Sequence, residues 1–227
     1  AAAKAVPDLG AHPRRASTGF KLWAPTAQRV SLCRYASGHG PALTEPAAMR
    51  FDAATGIWSL SLPQDLSGQY YSFSVDVVVP GVGLVRNRVT DPYSVSLTTD
   101  SRRSYVADLA AAKLKPAGWD ATQRPDRVKA QTDMVIYELH VRDFSIGDAS
   151  VPAARRGKYL AFTEGGSRGM RHLKALSAAG LTDVHLLPVF DIATIPEAGC
   201  KTPQVPKAAP DSESQQAAVM ALAASDC

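Results

Sequence analysis

The stretch Tyr71-Ser72-Phe73-Ser74-Val75-Asp76-Val77 decides the fold of the first half of the chain, because every second residue in it is apolar. Such alternation predicts a β-strand that turns one face to a core and the other to a polar surface. Further strand-like runs lie before and after it, bounded by Pro, Gly, Asp or Ser, at residues 19–24, 29–34, 56–62 and 85–91. Short strands at this spacing predict an antiparallel β-sandwich.

Composition indicates where the sandwich ends. No alanine occurs between Ala54 and Ala107, whereas the following segment is rich in Ala, Lys, Pro and Asp. The region without alanine has the Val, Tyr, Phe and Thr content of strands. We therefore predict a sandwich over residues 15–110 and a linker over residues 111–132.

A strand–helix–strand pattern follows the linker. Residues 134–139 form a mostly apolar run, a helix is predicted around residues 168–179, and residues 183–188 form a second apolar run. Gly180 stands where a helix C-cap is expected. Apolar strands separated by a helix are typical of a βαβ unit in a parallel sheet. This region is predicted to span residues 133–195, and residues 196–227 are interpreted as an insertion loop or tail.

Length and charge exclude several classes of protein. The chain has 227 residues, 45% of them hydrophobic, which is ordinary for a globular protein of one or two domains. No apolar run reaches membrane-spanning length. The net charge of +4 comes from scattered cations, so no nucleic-acid partner is expected. The opening AAAKAVPDLG has no initiator Met, and we expect the chain to begin inside a longer gene product.

Carboxylates near the ends of the two apolar strands are the main catalytic candidates. Glu138, Asp143 and Asp191 lie within or just beyond those strands. Barrel enzymes place their active sites at strand ends, and glycoside hydrolysis uses a pair of carboxyl groups. The alternative is structural, with Asp143 in a local ion pair with Arg142 and Asp191 capping a loop. The histidines and cysteines lack zinc-ligand spacing, so no metal site is predicted.

Aromatic residues are the candidates for stacking on sugar rings. Trp58 and Trp119 are the predicted carbohydrate-binding residues, and Trp23, Tyr70 and Tyr71 are further candidates. The alternative is that these rings fill the core of a small sandwich. Trp58 is the first choice if the sandwich contacts glucan.

The three cysteines leave two alternatives open. Cys33 lies in a strand-like run and is predicted to be a small buried residue with a free thiol. Cys200 and Cys227 bracket the tail, where a disulfide between them or two free thiols are both compatible with the sequence.

Several longer motifs resemble one family. Residues 20–27 (FKLWAPTA) and 89–94 (VTDPYS) are similar to the opening and close of carbohydrate-binding module 48 (CBM48), the sandwich that precedes many α-amylase-clan catalytic domains. Residues 137–145 (YELHVRDFS) and 180–194 (GLTDVHLLPVFDIAT) resemble the first barrel segments of bacterial pullulanases and plant limit dextrinases. The resemblance implies a CBM48-like, immunoglobulin-like β-sandwich followed by the first βαβ part of a truncated TIM (β/α)8 barrel.

The same resemblance implies a function. The family hydrolyses α-1,6 branch linkages in pullulan, amylopectin and limit dextrins by a retaining mechanism, with an Asp nucleophile and a Glu acid/base on later strands. No position here matches those motifs, so we expect a fragment that is inactive by itself. The alternatives are a non-catalytic starch- or glycogen-binding module, or another clan member such as an isoamylase or branching enzyme.

Three further expectations follow from the resemblance. α-Glucan is the expected partner, and no cofactor is expected, although calcium is common in the full enzymes of this clan. Some secreted members carry a cysteine-flanked insertion after the second strand, which supports a Cys200–Cys227 bridge. A secreted or periplasmic location is therefore expected.

Overall fold

The structure is a computed structural model that describes residues 5–126 and 128–190, together with residues 197, 212, 214, 215 and 217. It divides into two compact units, Ala1–Trp119 with Ile192–Cys227, and Asp120–Asp191. Each unit is described by itself below.

The described part of the first unit contains nine strands in two antiparallel sheets. One sheet has the order β1-β2-β6-β5 and the other the order β4-β3-β7-β8, with β9 paired to β7. The strands are β1 (Gly10–Arg14), β2 (Ser17–Trp23), β3 (Ala27–Tyr35), β4 (Ala47–Ala48), β5 (Arg50–Asp52), β6 (Ile57–Leu62), β7 (Tyr70–Val79), β8 (Gly83–Val89) and β9 (Ser104–Tyr105). The predicted β-sandwich is confirmed.

The apolar residues of strand β7 face the core, as the alternation predicts, but the polar residues Ser72 and Ser74 on its other face are also buried and not open to water. Tyr71, Phe73 and Val75 belong to the core cluster between the sheets, together with Phe20 and Leu32. The sandwich begins earlier than residue 15, because β1 pairs with β2 from Gly10 onward. Strand β1 was not predicted from the sequence; it contains Pro13, which is tolerated there because β1 lies at the edge of its sheet.

Asp76 departs from the simple pattern of a polar face open to water. Its side chain is 3% exposed and lies between two guanidinium groups, from Arg29 on β3 and Arg86 on β8. The nearest contacts are 2.7 Å to Arg29 and 2.8 Å to Arg86. Hydrogen bonding from Arg86 holds the pKa of the Asp76 carboxyl below its usual value. The three residues link the central strand to both neighbours.

The second unit contains the predicted βαβ arrangement. Its regular elements are β10 (Ile136–His140), α1 (Val141–Ser145), α2 (Arg168–Ala178) and β11 (Asp183–Leu187). Strands β10 and β11 pair in parallel, with Ile136 opposite Asp183 and His140 opposite Leu187. These two strands are the only ones in the described part of this unit, so the structure shows a short parallel region and not a barrel.

The ends of α2 agree with the sequence signals. The Ser167 hydroxyl accepts a hydrogen bond from the Met170 amide, which makes Ser167 the N-cap. At the other end, the amides of Gly180 and Leu181 donate to the carbonyls of Ser177 and Leu176. This is a Schellman motif, and Gly180 adopts the positive φ of 108° that the motif favours.

Gly169 allows a close contact at the start of α2. Phe144 and Phe162 stack face to face, with ring centroids 4.5 Å apart. A Cβ on residue 169 would lie 2.6 Å from Cζ of Phe144. The glycine therefore permits the stacked ring to lie directly against the helix backbone.

Candidate functional site

Trp58 does not lie where a sugar-stacking residue must lie. The residue is 7% exposed and belongs to the core cluster. Its indole N–H donates to the Ala24 carbonyl at 3.0 Å, and its ring packs against Phe51 with centroids 4.8 Å apart. A ring covered in this way has no free face for a glucose unit, so the structure contradicts the platform that we predicted at Trp58. Trp58 lies in the core because a small sandwich needs large apolar side chains to fill its interior.

Trp119 has the opposite environment. It lies in a 3-10 turn, Trp119–Ala121, and is 61% exposed. Its ring is free to contact a ligand, and its role in carbohydrate binding stays a prediction.

The strand-end carboxylates do not form a catalytic pair among the described residues. Glu138 on β10 contacts His185 on β11, with 3.0 Å between carboxylate and imidazole. Asp143 accepts a hydrogen bond from Arg142 at 2.8 Å, which lowers the pKa of its carboxyl. Each carboxylate thus has its own local partner, as the structural alternative predicted for Asp143. Asp191 lies outside the described residues.

Cys33 differs from its predicted state. It is fully buried on β3, as expected, but it is disulfide-bonded and not a free thiol. Cys200 and Cys227 lie outside the described residues, so the bridge predicted between them stays a prediction. Because the chain has three cysteines, a bridge within the chain from Cys33 to either of the other two would exclude the predicted Cys200–Cys227 pairing.

A groove of about 950 Å³ on the first unit is the best candidate for carbohydrate binding. Tyr70 and Tyr105 lie opposite each other on β7 and β9, with ring centroids 5.1 Å apart and planes inclined at 59°. We call this site the tyrosine groove. Its lining residues are Ser37, Gly38, His39, Tyr70, Ser96, Leu97, Thr98, Thr99, Asp100, Arg102, Tyr105 and Leu114.

Arg103 fixes one wall of the tyrosine groove. Its guanidinium lies 3.5 Å from the ring centroid of Tyr35 and donates to the carbonyls of Ser37 and Gly40 at 2.9 and 2.5 Å. The residue is 3% exposed, and burial lowers the pKa of its guanidinium. Because a buried cation with three such contacts moves little, the loop at Ser37–Gly40 is held at the side of the groove.

Another part of the lining carries polar groups that suit hydroxyl recognition. The Asp100 and Glu197 segments exchange hydrogen bonds, with each backbone amide donating to the other carboxylate at 2.6 and 2.7 Å. Arg102 lies 3.7 Å from the second oxygen of Asp100. Asp100 adopts a positive φ of 59°, a conformation that aspartate tolerates better than most residues. Acceptors and donors are therefore held beside the two aromatic rings.

The chemistry of the tyrosine groove matches a hydroxylated ligand with flat apolar faces. Tyrosine rings offer large surfaces for sugar C–H groups, and the surrounding polar side chains can bond to hydroxyls. Tyr70 was among the residues predicted from the sequence to stack on sugars, whereas Tyr105 was not. Strand β9 has only two residues, so no periodicity marks it, and only its pairing with β7 brings the two rings together.

Two kinds of feature are absent from the described part of the chain. No three His, Cys, Asp or Glu residues there are grouped as metal ligands would be. None of its helices is both long and apolar enough to cross a bilayer.

Comparison with known proteins gives relatives for both units. Residues 8–94 match the model of carbohydrate-binding module 48, described as the isoamylase N-terminal domain. A pullulanase of Klebsiella pneumoniae is 46% identical over 182 residues, which cover 78% of this chain and 16% of that protein. The chloroplastic pullulanase 1 of Arabidopsis thaliana is 40% identical over 190 residues, which cover 82% of this chain and 19% of that protein.

A solved structure agrees with these sequence matches. The crystal structure of Klebsiella pneumoniae pullulanase complexed with maltotriose aligns with a TM-score of 0.77 and 42% identity, over 87% of this chain and 19% of that one. The chain thus spans less than a fifth of the length of these relatives.

Proposed function

Because this chain is related to the N-terminal region of the pullulanases and carries a CBM48 domain, we propose that its sandwich binds α-glucan through the tyrosine groove. The observation that carries the proposal is the Tyr70–Tyr105 pair, whose residues line a groove together with polar side chains. A module of this family suggests α-glucan binding, and the groove supplies the aromatic surface that such binding needs.

We further propose that the complete protein hydrolyses α-1,6 linkages in pullulan, amylopectin or limit dextrins by a retaining mechanism. The identity to pullulanases across both units supports this proposal. In this view the parallel pair β10–β11, with α2 between them in the chain, is the start of a TIM barrel. Secretion or a periplasmic location is also proposed, and the disulfide at Cys33 supports it because disulfides persist in oxidising compartments.

Affinity electrophoresis in gels that contain amylopectin tests glucan binding. We expect the 227-residue chain to be retarded, and Tyr105→Ala to lose most of that retardation. Tyr93→Ala is the matched control, since Tyr93 is a sandwich tyrosine that is 43% exposed and lies outside the groove. Equal retardation of both variants and the parent chain would refute binding at the tyrosine groove.

The hydrolytic proposal has a separate test. Reducing-sugar release from pullulan should be measurable with the complete gene product and absent with the 227-residue chain alone. Turnover by the isolated chain would contradict the assignment and direct attention to Glu138 and Asp143.

A further inference from the structure

A second groove, of about 570 Å³, lies on the outer face of the β1-β2-β6-β5 sheet. Gly19 lies in its lining, flanked across the sheet by His12 on β1 and Ser61 on β6. A Cβ placed on Gly19 would meet nothing within 4 Å. The missing side chain thus leaves a hollow in an otherwise continuous row, and we call this site the Gly19 groove.

One cross-strand row beside the hollow combines two cations with a hydroxyl. Ser59 on β6 lies opposite Lys21 on β2 and opposite Arg50 on β5. Lys21 is held in place by Asp8, whose two oxygens lie 2.7 Å from the ammonium nitrogen. Neighbouring strands are about 5 Å apart, so the long side chains of Lys21 and Arg50 can both reach a group bound above Ser59.

The charges of the Gly19 groove favour an anion. Lys21, Arg14 and Arg50 contribute three positive charges against the single negative charge of Asp8. Within the described residues, no carboxylate forms a close ion pair with Arg14 or Arg50, although Asp52, two residues along β5, interacts electrostatically with Arg50. Such guanidinium groups suit the oxygens of a phosphate.

The other lining residues indicate which kind of molecule would bear the anionic group. Ser17, Ser59 and Ser61 place hydroxyls along the floor, which suit a hydroxylated ligand. Among the described residues the lining contains no Tyr or Trp, and its phenylalanine, Phe20, is fully buried, so the groove lacks the tyrosine stacking surface that the tyrosine groove has. A neutral glucan therefore fits this groove less well than a charged polyol.

We propose that the Gly19 groove binds a phosphate monoester of a sugar or similar polyol. The phosphate lies over Ser59 between Arg50 and Lys21, and the polyol part occupies the hollow above Gly19. The site is separate from the tyrosine groove in its lining residues, so it does not depend on glucan binding.

Titration of the labelled 227-residue chain by NMR tests the proposal, with glucose 6-phosphate, inorganic phosphate and glucose as probes. Glucose 6-phosphate should shift the amides of Gly19, Ser59 and Ser61 saturably, inorganic phosphate should bind more weakly at the same amides, and glucose should leave them unchanged. Affinity for the phosphate ester should fall as salt rises, because the attraction is electrostatic.

Two pairs of variants make the test specific. Arg50→Gln should weaken binding of glucose 6-phosphate by about 10-fold or more, since it removes a charge-assisted contact. Arg15→Gln removes the same charge from the neighbouring β1–β2 turn, outside the lining, and should change affinity by less than about 2-fold. Gly19→Val should fill the hollow and abolish binding, whereas Gly147→Val, also in open space, should not.

The possible results either support the proposed site or refute it. Equal losses with Arg50→Gln and Arg15→Gln would show a diffuse charge effect and refute the site. Glucose shifts as large as those of glucose 6-phosphate, or tighter binding of inorganic phosphate, would refute the phosphate-monoester assignment. Unaltered melting of Gly19→Val together with lost binding would support it.

Discussion

The Tyr71 hydroxyl donates a 2.7 Å hydrogen bond to Oδ2 of Asp91 in the interior of the sandwich. Oδ1 of the same carboxylate accepts from the Tyr93 amide at 2.8 Å, and the Asp91 amide donates to the Ser104 hydroxyl at 2.9 Å. These bonds join the segment after β8 to the central strand β7 and to β9. Asp91, the aspartate of the VTDPYS motif, therefore has a structural role, because its hydrogen bonds hold these segments together.

Tyr71→Phe tests the energetic weight of this bond. Burial raises the pKa of Asp91, and the Tyr71 hydrogen bond opposes that rise. Because the folded pKa is raised, Asp91 lowers stability as pH rises from its unfolded value near 3.8 through the folded pKa. The Tyr71 hydroxyl stabilises the ionised carboxylate of Asp91. Its removal in Tyr71→Phe should therefore destabilise the sandwich by about 1–3 kcal/mol at pH 7.

The pH dependence distinguishes this cause from a packing defect. The difference in unfolding free energy between Tyr71→Phe and the parent should shrink at pH values below the folded pKa of Asp91, where the carboxyl is neutral. Urea unfolding at pH 7 and at about pH 3, which lies below the ordinary Asp value of 3.8, measures it. A penalty that is the same at both pH values would contradict the account.

Trp58 and Trp119 should respond in opposite ways to truncation. Trp58→Ala removes a buried ring and an indole hydrogen bond, so it should cost about 3–5 kcal/mol of stability. Trp119→Ala removes an exposed ring and should change stability by less than about 0.5 kcal/mol. Thermal unfolding followed by circular dichroism compares them, and a stable, folded Trp58→Ala would refute its place in the core.

We expect Gly169→Ala to destabilise helix α2, although replacing glycine with alanine usually stabilises a helix. At an open helical site this change stabilises by about 1 kcal/mol. Here the new Cβ would lie 2.6 Å from the Phe144 ring, so the ring must shift and the Phe144–Phe162 stack must loosen.

Hydrogen exchange of the α2 amides measures the effect, and it should accelerate in Gly169→Ala. Gly166→Ala is the control, because a Cβ there meets nothing within 4 Å. Slower exchange in Gly169→Ala than in the parent would show that the close contact with Phe144 is absent.

Thiol mapping tests the state of Cys33. The unreduced chain is denatured, alkylated and digested, and the peptide that contains Cys33 should carry no label because the cysteine is disulfide-bonded. One of the two remaining cysteines should then be labelled. A labelled Cys33 with both Cys200 and Cys227 protected would instead establish the bridge predicted between those two residues.

Sequence patterns predicted the structure correctly where it depends on residues that are close together in the chain. The alternation at residues 71–77 predicted β7, and the Gly180 signal predicted the end of α2, because both depend on neighbours in the chain. Strand β1 and the tyrosine groove depend on contacts between distant residues. Strand β1 contains Pro13, which a strand tolerates at a sheet edge, and Tyr105 is brought beside Tyr70 by the pairing of β9 with β7.

The most direct test of the central claim is NMR mapping of maltoheptaose on the labelled 227-residue chain. We predict saturable shifts at the amides of Tyr70, Thr98 and Tyr105, and their loss in Tyr105→Ala but not in Tyr93→Ala. Absence of shifts at these amides, or shifts confined to other parts of the sandwich, would contradict α-glucan binding at the tyrosine groove.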